Sequence, residues 1–280
     1  MKKLYERAYA KLNLDLHVIN KRDDGFHELK SIVLPLMLFD ELTFETADKN
    51  KVESNVLIEE NIVLKTIEYI QQKYDIKLGV KVKLNKQIPI GSGLGGGSAN
   101  SAATIRALNL LFDLNLSEEE MKKIASDLGS DILFCLYNKP AVISGRGDKI
   151  EFIENPQFDT ITLIVLPTKN LTKDVFSNHK VSPPKTTFNA QIENYMSEDI
   201  NNYTNNIENQ LLESALKTND EFSMYYNQIK QISPSIMMTG SGSTLYLINT
   251  SNEVVKKLKE IEKIEVFDTK IKKNIYKTTF

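Results

Sequence analysis

The chain has 280 residues, 41% hydrophobic and 26% charged, enough for one large domain or two of ordinary size. Its 35 Lys and Arg against 37 Asp and Glu leave a formal net charge of −2, which gives no generic polyanion-binding surface and argues against a nucleic-acid partner. No run approaches the ~18 consecutive apolar residues of a membrane span, and the opening Met-Lys-Lys-Leu-Tyr-Glu has no apolar core behind it, so the expectation is a soluble cytoplasmic protein with no membrane partner.

From the N-terminus, Leu12, Leu14, Leu16 and Val18 alternate with Lys11, Asn13, Asp15 and His17. That pattern predicts a half-buried strand whose polar face carries Lys, Asn and His. Arg22-Asp-Asp-Gly25 reads as a turn. A strand region at 28–44 follows, interrupted by Pro35, and then a helix over 61–73. Val80, Val82 and Leu84 predict another strand. After a glycine-rich stretch, Ala102, Ile105, Leu108 and Phe112 fall at helical spacing over about 98–114. A second helix opens on the capping box of Ser117 and Glu120 and closes near Gly129. A short segment from Asp131 passes the turn at Asn138 and Pro140 into a strand pair over 141–153. The single Cys135 cannot form an internal disulfide, and within an apolar run it reads as a buried side chain rather than a nucleophile.

Near residue 155 the texture changes. A short apolar strand over 160–166 ends at Pro167, and 168–206 is rich in Asn, Lys, Ser, Thr and Pro. Such a stretch predicts a surface excursion or a lid rather than a core element. Helices are expected at 209–216 and 221–232, strands at 235–238 and 244–249, then a last helix at 252–261 and a final strand. Lysine-rich stretches at 256–263 and 270–277 alternate with apolar or acidic residues and read as solvated faces. Strands precede, follow and flank the helices without a regular βαβ repeat, which favours α+β with a boundary at 150–160, giving domains 1–155 and 156–280.

The stretch between the strand at 80–84 and the helix that follows reads Pro89, Ile90, Gly91, Ser92, Gly93, Leu94, Gly95, Gly96, Gly97, Ser98 and Ala99. A glycine-rich turn feeding a helix N-terminus places backbone N–H groups around an anion, where the helix dipole also favours negative charge. The absence of Cβ atoms lets phosphate oxygens approach and permits positive φ. A ligand-free strand-to-helix turn is the plainer alternative, but the run sits tightly between two well-patterned elements. Gly91, Gly93 and Gly96 match G-x-G-x-x-G, yet no second strand ending in Asp or Glu follows, as a dinucleotide fold requires. Nor does the run end in the Gly-Lys-Ser/Thr of a Walker loop.

Residues 89–99, with Met238-Thr-Gly-Ser-Gly242 and the polar strand around Lys11, resemble the GHMP kinase superfamily. Within it, residues 10–14 (Ala-Lys-Leu-Asn-Leu) and 21–29 (Lys-Arg-Asp-Asp-Gly-Phe-His-Glu-Leu) are similar to the family that phosphorylates 4-diphosphocytidyl-2-C-methyl-D-erythritol. Leu128-Gly-Ser-Asp131, Gly145-Arg-Gly-Asp148 and Asn205-Asn-Ile-Glu208 extend the resemblance along the chain in the same order. It implies an α+β kinase of two domains, N-terminal ribosomal protein S5 domain 2-like and C-terminal ferredoxin-like. The implied substrates are ATP, with Mg²⁺, and a small cytidine-diphosphate-linked polyol, in non-mevalonate isoprenoid biosynthesis.

By this resemblance Asp131 is the base and Lys11 its charged partner, stabilising charge at the reacting oxygens. The loop at 89–99 cradles the ATP phosphates, with Ser98 as a phosphate or metal contact, and the turn at 239–243 closes over them. The acceptor side depends on Asn13 and on His27, which hydrogen-bonds the base edge, while Phe26 and Tyr203 supply rings around the cytosine. Several positions depart from the family: Tyr9 stands for Pro, Phe26 for Tyr, Leu34 and Pro35 for Met-Gln, Ser130 for Ala, Ile132 and Leu133 for Val-Pro, and Asn206 for an acid. They cluster near the acceptor. A GHMP kinase for another small alcohol, or a nucleotide-binding regulator derived from one, therefore stays open beside the first reading.

Overall fold

The computed structural model describes residues 2–197 and 200–273; the end of the lysine-rich stretch 270–277 lies outside them. In chain order the elements are β1 (Lys3–Asn13), β2 (His17–Lys21), β3 (His27–Ala47), β4 (Lys51–Ser54), α1 (Ile62–Tyr74), β5 (Gly79–Asn85), α2 (Gly96–Leu111), α3 (Glu118–Leu128), α4 (Ile132–Tyr137), β6 (Ala141–Gly145) and β7 (Lys149–Phe152). Then come β8 (Thr160–Val165), α5 (Thr172–Ser177), α6 (Phe188–Met196), α7 (Ile200–Asn206), α8 (Leu212–Thr218), α9 (Asp220–Ile232), β9 (Met237–Met238), β10 (Leu245–Ile248), α10 (Asn252–Lys259) and β11 (Glu265–Lys270). Among the described residues no helix is long and apolar enough to cross a membrane.

These elements gather into two compact units, neither contiguous in sequence. The first takes residues 1–11, 38–89 and 95–138; the second takes 12–37, 90–94 and 139–280. The composition break near 155 falls inside the second unit. Strand pairing explains this: the early residues Leu29 to Val33 of β3 face Gly145 to Ala141 of β6, so an N-terminal segment is built into a later sheet.

In the first unit the C-terminal part of β3 pairs antiparallel with β5, Leu42 opposite Leu84 and Phe44 opposite Val82, and β5 pairs parallel with β4. Leu42, Phe44 and Val82 of these strands are buried, as are Val63, Ile67 and Ile70 of α1 and Ile105 and Leu108 of α2, and the two helices pack together. Asn61 caps α1 by accepting from the Val63 N–H at 3.0 Å. The capping box at Ser117 and Glu120 forms as expected. Helix α2 begins at Gly96, two residues before the expected start, because Gly95 adopts φ +70° and serves as its N-cap.

In the second unit β2 and the N-terminal part of β3 form an antiparallel pair that continues through β6 to β7. A separate antiparallel sheet runs β11-β8-β10-β9. Ile164, Leu245 and Leu247 from it pack with Phe222 and Ile229 of α9 and Leu258 of α10. Three expectations are corrected. The strand at 11–18 is not half-buried, since Asp15 and His17 on its polar side are each 1% exposed. The chain breaks at 14–16, and the Tyr246 hydroxyl covers the turn by donating to the Leu14 carbonyl at 2.5 Å. Pro35 does not interrupt β3: it falls between the residues paired with β6 and those paired with β5, so its missing N–H breaks no ladder there. The polar stretch at 168–206 folds into α5, α6 and α7 and buries Val175, Phe188, Tyr195 and Tyr203. The cap at Thr187, which accepts from the Ala190 N–H at 3.3 Å, starts a helix that bulk polarity concealed.

Candidate active site

The first unit holds the C-terminal half of the glycine loop. Gly95 lies in the left-handed region, and a Cβ there would stand 2.7 Å from Cγ of Lys11, so the lysine stem lies directly on the loop. Lys11 is 6% exposed, and its Nζ is 3.3 Å from Oδ2 of Asp131. Asp131 stands just before α4 and makes no capping hydrogen bond to it, so its carboxylate, about half exposed, is directed to the lysine. The first turn of α2 carries Gly97 and Ser98; the first N–H groups of a helix have no partner within it. Burial pushes the nearby Cys135 thiol up to about 12, consistent with an inert core side chain.

A residue absent from the sequence reading anchors this half of the loop. Asp40, fully buried, accepts from the backbone N–H of Gln87 at 2.7 Å and of Ile88 at 2.8 Å. It also accepts from Nδ2 of Asn100 at 2.7 Å and pairs with Lys86, whose Nζ meets Oδ1 of Asn100 at 3.2 Å. One carboxylate therefore clasps the strand exit before the loop and the second turn of α2 after it. A signal existed in the sequence, since Asp40 is in phase with the buried Leu42 and Phe44 of β3.

The N-terminal half of the loop belongs to the second unit. Gly91 and Gly93 have φ of +73° and +79°. A Cβ on Gly93 would lie 2.6 Å from the carbonyl oxygen of Gly242, and the Thr244 N–H donates to the Ser92 carbonyl at 3.3 Å. Two small-residue turns, 150 residues apart, thus lie back to back. A third segment braces them. Asn170 donates to the Ser241 carbonyl at 2.9 Å, Thr172 and Ser241 share a hydrogen bond at 2.9 Å, and Ser243 donates to the Thr168 carbonyl.

Asn13 is also held in the second unit. Its backbone N–H donates to Oγ1 of Thr239 at 2.8 Å, and its Nδ2 donates to Oγ of Ser31 at 2.8 Å. The single Ser31 hydroxyl proton goes to the Asp15 carbonyl at 2.5 Å, so Ser31 can only accept from Asn13. That fixes the orientation of the Asn13 amide, with Oδ1 on the edge opposite Ser31. Phe26 is exposed, with the Arg146 guanidinium 5.2 Å from its ring centroid. His27 lies against Phe176 at 5.3 Å, and burial, then the charge of Lys21, holds it below its ordinary value. A neutral imidazole offers one donor and one acceptor to a base edge. Tyr203 differs from the expectation: it is 1% exposed, stacks on Phe158 and takes an edge contact from Tyr195. Its ring is part of the core and presents no face to a ligand.

Among the described residues no group of three or more His, Cys, Asp or Glu forms a metal cage. The first unit sets a paired lysine and carboxylate beside the glycine-rich start of α2. These are the features of a GHMP kinase, and residues 61–139 match the family model described as "GHMP kinases N terminal domain". The chain is 36% identical to the 4-diphosphocytidyl-2-C-methyl-D-erythritol kinase of Caldanaerobacter subterraneus subsp. tengcongensis over 95% of both chains. It is 35% identical to the protein of the same name from Thermoanaerobacter pseudethanolicus, over 98% of this chain and 99% of that one. A crystal structure of 4-(cytidine 5'-diphospho)-2C-methyl-D-erythritol kinase shares the fold with a TM-score of 0.77 at 23% identity, covering 95% of this chain and 99% of that chain. The chain belongs to the 4-diphosphocytidyl-2-C-methyl-D-erythritol kinase family.

Proposed function

We propose that this protein transfers the γ-phosphoryl group of ATP to the 2-hydroxyl of 4-diphosphocytidyl-2-C-methyl-D-erythritol. The observation that carries the reading is the Lys11 and Asp131 pair at 3.3 Å, with the lysine stem laid on Gly95 of the loop. As the hydroxyl oxygen bonds to phosphorus and the bond to ADP breaks, Asp131 takes the hydroxyl proton and Lys11 balances charge on the reacting oxygens. A phosphate loop needs backbone left bare of Cβ atoms, and Gly91, Gly93 and Gly95 each hold positive φ with close neighbours where a Cβ would stand. Mg²⁺ bound chiefly through phosphates needs only one or two protein oxygens, and Ser98 in the first turn of α2 would supply one. The metal would neutralise phosphate charge. On the acceptor side, Asn13 accepts through Oδ1, His27 meets the cytosine edge and Phe26 offers a ring.

The test is ADP release by the purified protein with ATP and Mg²⁺, with and without the cytidine-linked acceptor. Acceptor-dependent release that disappears in Asp131→Asn, while ATP binding persists, is the expected result. Normal turnover by that variant would remove Asp131 from the role of base. A second reading draws on the burial of Tyr203 and the missing hydroxyl at Phe26: a GHMP kinase for a different small alcohol. Competition by cytidine diphosphate separates the two, since an enzyme for another alcohol is indifferent to it.

A further inference from the structure

We propose that Lys169 is a phosphate-binding residue of the nucleotide site, supplying positive charge at the Gly91 and Gly93 end of the loop; this rests on the reading of the chain as an ATP-using kinase. Three lysines each lie on one loop glycine. A Cβ on Gly95 would meet Lys11, one on Gly96 would stand 3.0 Å from Nζ of Lys86, and one on Gly91 would stand 2.8 Å from Cδ and 2.9 Å from Cε of Lys169. Two of the three are neutralised where they stand, Lys11 by Asp131 and Lys86 by Asp40. Lys169, exposed, has no carboxylate partner among the described residues.

That difference matters because phosphoryl transfer depends on positioning and on offsetting charge that spreads over the phosphate oxygens. Two ion pairs bring no net charge to a polyanion, whereas an uncompensated ammonium does. A solvated surface lysine would also be exposed and unpaired, but its backbone would not be built into the loop's own support. Here the Lys169 carbonyl accepts from Nδ2 of Asn219 at 3.2 Å, and Asn219 also meets Oδ1 of Asn170 at 2.9 Å. On one side Asn170, buried, donates to the Ser241 carbonyl; on the other the Thr168 carbonyl accepts from Ser243. The backbone of residues 168–170 is thereby tied to the turn that backs Gly93. From that fixed root the four-carbon stem runs across Gly91, whose missing Cβ leaves it room, and the ammonium is carried to the loop's edge.

The experiment measures equilibrium binding of ATP with Mg²⁺ to the full-length protein by calorimetry, for wild type, Lys169→Met and Lys169→Arg. Methionine keeps an unbranched stem over Gly91 and removes the charge; arginine keeps the charge. The expected result is a loss of about 10-fold or more in ATP affinity for Lys169→Met, with Lys169→Arg within about 3-fold of wild type. Wild-type affinity in Lys169→Met overturns the proposal. Equal losses in both variants overturn it too, because the stem's packing and not its charge would then be responsible. Failure of the wild type itself to bind ATP would sink the kinase reading, and so is distinct from a failure confined to Lys169.

Discussion

Asp15 is a buried acid whose ionisation opposes folding, and replacing it with asparagine should change the pH dependence of stability in a defined way. Its side chain is 1% exposed; Oδ1 accepts from the Ile32 N–H at 2.6 Å. Oδ2 has no hydrogen-bond partner, nor does the fully buried Tyr203 hydroxyl, whose own titration the Asp15 charge helps to raise. Burial lifts the Asp15 carboxyl from 3.8 to about 7, against a smaller opposing effect of the Ile32 hydrogen bond. The folded state thus favours the protonated acid. Below about pH 4 both states are protonated and the stability is fully present. Between about pH 4 and pH 7 the unfolded chain gives up the proton while the native chain keeps it, so stability falls by ~1.4 kcal/mol per pH unit. Over some three units the loss reaches about 4 kcal/mol, and above the folded value the curve levels.

Asp15→Asn retains an oxygen for the Ile32 N–H and cannot ionise. The stability gap between variant and wild type should therefore widen in the variant's favour by about 4 kcal/mol from pH 4 to pH 8. Urea denaturation followed by circular dichroism across that range measures it, and comparing the two proteins at each pH cancels titrations they share. A gap that stayed constant, or that narrowed as pH rose, would refute the argument that the native carboxyl is held protonated.

The remaining predictions concern the loop. Gly93→Ala should abolish measurable ATP binding by calorimetry and lower stability by roughly 1–3 kcal/mol, since its Cβ meets the Gly242 carbonyl oxygen at 2.6 Å from a left-handed backbone. Gly97→Ala is the control: the nearest atom to its Cβ is Cγ2 of Ile62 at 3.7 Å, so its melting temperature should match wild type. Asp40→Ala strands the Lys86 ammonium, the Asn100 amide and two backbone N–H groups; a destabilisation of about 3–5 kcal/mol is expected, with a raised KM for ATP and little change in KM for the acceptor. A melting curve like wild type would show that the clasp is dispensable.

The local parts of this protein were written in its sequence. Alternation marked β5, helical spacing marked α2, and the box at Ser117 and Glu120 marked the start of α3, because each signal acts within a few residues of backbone. Residues 89–99 were expected to form a tight glycine turn for the same reason: five glycines between a strand and a helix permit positive φ without a distant partner, and Gly91, Gly93 and Gly95 adopt it. Family motifs then named Lys11 and Asp131, but only the return of the chain from residue 11 to residue 131 sets them 3.3 Å apart. The phase of Asp40 with Leu42 and Phe44 marked its burial but not its partners, and Ser31 and Lys169 carry no local signature at all, since each acts on a loop or side chain supplied from elsewhere in the sequence. Burial was the least legible quantity. His17 and Tyr203 look in sequence like a strand's polar face and a ring near the acceptor, and tertiary packing encloses both. The sequence determined the left-handed backbone of the glycine loop; the tertiary structure decided which side chains lie on it, because long-range contact depends on where distant segments of the chain are brought.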